Sequence, residues 1–192
     1  MSLAALALVA QAEPPPAGAW RVWLSPRYMH SAAGAVVPGA KLTEFAGGRL
    51  EDDDLTPFTK TEFAALGLSW DDFFAKAREA CAADLAALQP RYVRNRRQVI
   101  EYAVLESKDP VVASAVLAPK FLALFSETLG PKVLVSMPNQ FQAFVFPALA
   151  SDYQDYAPMV REAYRATAHP VSLEVLEFSA AGIKAIGAYD TP

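Results

Sequence analysis

The stretch LAPKFLALFSETLGPKVLVSMPNQFQAFVFP, residues 117–147, changes its apolar period halfway along. Leu117, Phe121, Leu124, Phe125 and Leu129 recur at the spacing of one helical face. Pro119 suits a first helical turn, where its missing N–H has no intrahelical partner to lose. Gly130 admits the left-handed conformation that closes a helix, and Pro131 bars continuation. Beyond them, Val133–Met137 and Phe141–Phe146 carry apolar residues on both faces, as strands covered from two sides do. A tight turn is placed between them at Pro138-Asn139. A helix followed by a covered hairpin predicts an α+β fold: a mixed or antiparallel sheet with three to four helices packed on it.

Working outward, 192 residues suffice for one domain with a sizeable core, and 53% apolar with 20% charged residues suits a compact globule. Residues 1–19 read as an N-terminal leader and proline-rich linker, and residues 20–192 as a single α+β domain. Leu3–Ala10 is apolar and Ala10-Gln11-Ala12 resembles a signal cleavage site, but no Lys or Arg precedes it. The expected compartment is cytoplasmic, with export the alternative if Met1–Ala12 belongs to a signal peptide. No run approaches the roughly 20 apolar residues of a spanning helix. A net charge of -4 gives no general attraction to nucleic acid or anionic membrane. Cys81 is the only cysteine, which excludes an internal disulfide and a cysteine-based zinc site.

Upstream of the central stretch, Trp20–Leu24 alternates as a strand does, whereas residues 28–48, broken by Gly34, Gly39, Gly47 and Gly48, support only short strands or loop. Glu51–Asp54 is an acidic run without the interleaved ligands and glycine of a calcium loop, and reads as a solvated turn. Thr59-Lys60-Thr61-Glu62 has the spacing of a capping box. Ser69 caps a longer helix, with Asp71 and Asp72 at its positive end. Trp70, Phe73, Phe74, Ala77, Cys81, Leu85 and Leu88 form its inner face, so Cys81 is a small buried hydrophobe rather than a nucleophile. Gln98–Leu105 is strand-like, and Val111–Val116 is a short strand or a lead-in to the central helix. Downstream, a helix starting near Asp155 carries Tyr153, Tyr156, Val160 and Tyr164 along one stripe, with Pro158 in its first turn. Ala168-His169-Pro170 ends it, placing His169 where the helix dipole favours a proton. Val171–Phe178 and Ile183–Ala188 are a last pair of strands.

Arg91, Arg94, Arg96 and Arg97, with Tyr92 and Asn95 between them, are the only concentrated positive charge in the chain. They could grip phosphate or an acidic protein surface, or simply pair with Glu51–Asp54 and other carboxylates. With Tyr153 and Tyr156 they are the candidate binding residues, since Arg and Tyr are frequent interface anchors. No catalytic, cofactor-binding or metal-ligating set stands out, so no cofactor is expected. The implied function is non-enzymatic binding, with another protein as partner. Two alternatives stand beside it: a hydrolase or transferase pairing Asp52–Asp54 or Glu101 with His169, and a single-stranded nucleic-acid binder stacking bases on Tyr92.

Three passages resemble the YtpQ-like family of bacterial proteins, a domain of unknown function. They are Leu66-Gly67-Leu68-Ser69 entering the helix Trp70–Leu88, the segment Val133–Asn139, and Met159–Phe178 with its central His169-Pro170-Val171-Ser172. The resemblance spans residues 59–188. It implies an α+β fold, no established activity and no catalytic residue. The accessory or immunity-like role expected here follows instead from the absence of a nucleophile–base pair, metal cluster or phosphate-cradling loop.

Overall fold

The computed structural model describes residues 19–52, 54–149 and 153–189. The leader, most of the proline-rich linker and Asp53 lie outside the described residues. The fold is α+β, but it is built on two antiparallel sheets rather than the one expected. Sheet one comprises β1 (Trp20–Pro26), β2 (Gly34–Val36), β3 (Thr43–Glu51) and β4 (Asp54–Pro57). β3 is its spine, with β1 along one edge and β2 then β4 along the other. Helices α1 (Lys60–Ala65) and α2 (Trp70–Ala86) follow. Sheet two has the order β10-β9-β7-β8-β6-β5. Its strands are β5 (Arg91–Arg94), β6 (Ile100–Glu106), β7 (Val133–Asn139), β8 (Gln142–Pro147), β9 (Glu174–Ser179) and β10 (Gly182–Ala188). Short helices α3 (Val112–Ala115) and α4 (Phe121–Phe125) join β6 to β7, and α5 (Ala157–Arg165) joins β8 to β9.

The long strand β3 is the largest departure from expectation. Gly47 and Gly48 lie inside it, and they are required there by close packing rather than by a turn. A Cβ on Gly47 would stand 2.5 Å from the Phe73 ring, and one on Gly48 would meet the carbonyl oxygen of Thr56. Residues with no side chain let α2 and β4 approach the strand. The central helix is also shorter than its stripe: α4 is one turn, preceded by α3 where a strand was the other option. Leu117, Phe121, Phe125 and Leu129 are buried as expected, while Leu124 is exposed. Gly130 takes φ +100 and closes the segment. The β7–β8 reversal falls at Gln140-Phe141, two residues later than the proline suggested, because Asn139 pairs with Gln142 and its Oδ1 accepts the N–H of Phe141.

Most local signals elsewhere hold, but α5 ends at Arg165 with Ala166 as its cap, so His169 lies beyond the helix C-terminus where it was expected. The Thr59 hydroxyl accepts the N–H of Glu62 and the Glu62 carboxylate accepts that of Thr59, and Ser69 accepts the N–H of Asp72. A cap of this kind contributes about 1 kcal/mol. Pro158 sits in the first turn of α5, preceded by a 3-10 turn at Tyr153–Tyr156.

One core runs through both sheets: Val22, Leu24 and Phe45 from sheet one, Phe73, Ala77 and Cys81 from α2, Val112 and Phe121 from α3 and α4, and Val135, Val145 and Phe178 from sheet two. The opposite face of sheet two carries a smaller cluster under α5, including Leu134, Phe144, Phe146, Val160 and Tyr189. Two buried polar clamps fix the sheets to their neighbours. Arg21 on β1 grips Asp84 on α2 through two bonds of 2.7 and 3.1 Å, and Asp84 also accepts the Ser114 hydroxyl of α3 at 2.6 Å. The Glu174 carboxylate on β9 accepts the N–H groups of Lys41 and Leu42 and the hydroxyl of Thr43, tying sheet two to the start of β3. Among the described residues no helix is long and apolar enough to cross a membrane.

Candidate functional site

The arginine cluster forms the tip of the β5–β6 hairpin. The strand register breaks between Val93 and Arg94, and Asn95 organises the turn beyond it. Its Oδ1 accepts the N–H groups of Arg97 and Val99, its own N–H reaches the Val99 carbonyl, and its carbonyl accepts the N–H of Gln98. Gln98 takes φ +64, a left-handed conformation held by that ring of bonds and by the Arg94 guanidinium on its carbonyl. Arg91 pairs with Glu106 at 3.3 Å, an exposed contact. Arg96, Arg97 and Val99 are exposed, and among the described residues neither Arg96 nor Arg97 has an ion-pair partner. The alternative pairing with Glu51–Asp54 is not what the structure shows, because Glu51 is taken by Arg49. None of the four arginines lines any of the cavities described below. The tip is exposed and internally bonded.

The tyrosines divide. Tyr92 faces the main core with its hydroxyl 3.3 Å from Thr128. Tyr156 stacks on Phe146 and meets Tyr102 edge-on, and Tyr102 is paired across the strands with Val93, so Tyr156 approaches the base of the arginine hairpin. Burial, with Glu101 and Asp155 as nearby negative charge, pushes its phenol above the usual value. Tyr153 lies elsewhere, against Tyr189, and its hydroxyl occupies the space a side chain at Gly187 would need. Tyr189 is buried and bonded to Ser136, and its phenol is pushed up to about 12 by burial. All three candidate tyrosines therefore spend part of their surface on packing.

A cleft that the sequence did not announce lies where the sheets adjoin. The 3-10 turn Arg27–Met29 follows β1 and ends at His30, which takes φ 50, ψ 56. The left-handed cap is fastened by the His30 N–H on the Arg27 carbonyl and by the Ser31 N–H on Glu44. Opposite it, the segment before β9 crosses the β7–β8 turn through an Asn139–Pro170 bridge, and the His169 ring stands edge-on to Phe141. His30 and His169, the chain's only histidines, thus line one cavity of about 410 Å³ together with Gln140, Trp23 and Phe58. A second cavity of about 360 Å³ shares Pro26, Tyr28 and His30 with it and adds Arg27, Lys41 and Tyr164. No Asp or Glu lines either cavity. Asp52, Asp54 and Glu101 are therefore not brought to His169, and neither imidazole has a side-chain hydrogen bond among the described residues. Elsewhere, an open concavity of about 670 Å³ is lined by Glu106, Asn139 and Thr167 among others, and a groove of about 480 Å³ lies between Phe74, Leu122 and Ile183.

Cys81 sits on the core face of α2 with its thiol on the Val22 carbonyl, and burial pushes it up to about 11. It is no nucleophile at neutral pH. Compared with protein families, curated proteins and solved structures, the chain shows no match.

Proposed function

We propose that this chain is a binding protein that recognises an acidic surface of another protein through its arginine hairpin. The observation that supports this is the construction of the tip: the Asn95 side chain and the Arg94–Gln98 bond hold the loop in shape, while Arg96, Arg97 and the apolar Val99 face solvent. A tip held in shape loses little conformational entropy on docking, and arginine forms paired hydrogen bonds to carboxylates. Tyr156, at the base of the hairpin, extends the same surface. An accessory or immunity-like role is in keeping with this reading, and the YtpQ-like resemblance, which implies no established activity, adds no residue to it.

The test is a photocrosslinking side chain placed at Val99, with one at exposed Leu149 as the control. Crosslinks from position 99 to a partner's Asp/Glu-rich segment, lost in Arg96→Glu/Arg97→Glu, are the expected result. Identical crosslinks from both positions, or crosslinks indifferent to the charge reversal, refute the reading.

A second reading, hydrolysis or group transfer through His169, draws support from the placement of both histidines in one cleft. It lacks the carboxylate partner that would orient an imidazole as a base.

A further inference from the structure

The junction cleft differs in charge from the chain around it. Acidic residues outnumber basic ones by 21 to 17 along the sequence, yet the two contiguous cavities are lined by His30, His169, Arg27 and Lys41 with no acid among them. The carboxylates that come closest in the hydrogen-bond network are turned onto backbone N–H groups. Glu44 holds Ser31, and Glu174 holds Lys41 and Leu42. These acids shape the walls of the cleft and make no ion pair with its cations: among the described residues neither Arg27 nor Lys41 is in an ion pair. Positive side chains in a concavity with low-dielectric walls concentrate their field on whatever enters. Much of the remaining lining is apolar, Trp23, Phe58 and Pro170 among it, with the polar Ser25, Ser31 and Thr59 interspersed, and Gln140 adds an amide. The volume falls in the range of small-molecule sites.

We propose that this cleft binds a small organic anion: a planar or aromatic body lying against Trp23 and Phe58, carrying a carboxylate or phosphate head that meets His30, His169 and Gln140. Arg27 and Lys41, across the shared wall at Tyr28, supply the favourable field. The left-handed His30 is then a positioning feature, since an extended backbone at that residue would send the chain away from the second sheet. This site is separate from the arginine hairpin and stands or falls independently of it.

Because the chain has two histidines and both line the cleft, the imidazole signals of the full-length protein report on this site alone. Their carbon-bound protons are followed by NMR during titration with benzoate, phenyl phosphate and, as the neutral probe, benzyl alcohol. His30→Gln and His169→Gln assign the two signals. Saturable movement of both signals with benzoate or phenyl phosphate is expected, and the tighter of the two identifies the head group. Arg27→Gln and Lys41→Gln should each weaken the anion by about threefold or more, the scale of one partly solvated charge. Arg96→Glu/Arg97→Glu should leave the titration unchanged. An equal response to benzyl alcohol, or no saturable response to either anion, overturns the proposal.

Discussion

Arg21 and Arg97 are the same residue put to opposite uses. Arg21 is enclosed between β1 and α2, with both of its paired hydrogen bonds on Asp84 and a third partner for that carboxylate in Ser114. Arg97 stands on a hairpin tip with its guanidinium in solvent. The buried pair joins sheet one, α2 and α3, so neither partner can change alone without disturbing the fold. The exposed tip can be altered freely by the fold's standards. The comparison teaches that a residue's energetic weight follows its enclosure and its partners, not its charge.

Mutation separates the two cases by an order of magnitude. Asp84→Ala leaves the Arg21 charge enclosed without its carboxylate and is expected to cost about 3–5 kcal/mol in urea-unfolding free energy. Replacing both residues by apolar ones (Arg21→Met with Asp84→Leu) should recover most of that loss, and a double variant as unstable as the single one breaks the argument. Next in size is a pH effect at the same junction. The folded Cys81 thiol titrates near 11 against an ordinary 9.0, so between those values the native state holds more protons than the unfolded state. Stability therefore falls as pH rises from 9 to 11, by about 2–3 kcal/mol from this group. Cys81→Ala should flatten that part of the unfolding profile. Glu174→Ala removes the acceptor for two N–H groups and one hydroxyl and should cost about 1.5–3 kcal/mol, read from the same unfolding curves. At the small end, Arg96→Ala and Arg97→Ala should each shift stability by less than about 0.5 kcal/mol. A larger loss at the tip would mean that it belongs to the fold after all.

Short-range chemistry was the legible part of the chain. The caps at Thr59 and Ser69, the core face of α2, the hairpin strands around residue 140 and the proline in the first turn of α5 are all set by residues a few positions apart. Sheet one was hidden because its spine, β3, carries Gly47 and Gly48, and the same glycines that break a strand in isolation admit Phe73 and Thr56 in the folded chain. The clamps were illegible for a different reason. Arg21 is 63 positions from Asp84, and Glu174 is more than 130 from the N–H groups it accepts. The arginine hairpin was visible as composition, though the bonds of Asn95 and Arg94 that hold its tip were not. The pairing of His30 with His169 left no local trace, since nothing between the two positions ties one to the other.

The loop after β2 has one more effect. The Ala185 N–H on the outermost strand of sheet two donates to the Pro38 carbonyl at 2.8 Å, and Gly39 lies so close that a Cβ there would stand 2.8 Å from the Ala185 oxygen. That contact covers the middle of the sheet border, as the Gln154 amide on the Ala188 carbonyl covers its end, where a neighbouring molecule's strand could otherwise add itself. A side chain larger than hydrogen at position 39, where φ is +76, would strain the loop and lift this cover, so such a variant should lose stability and expose the border together.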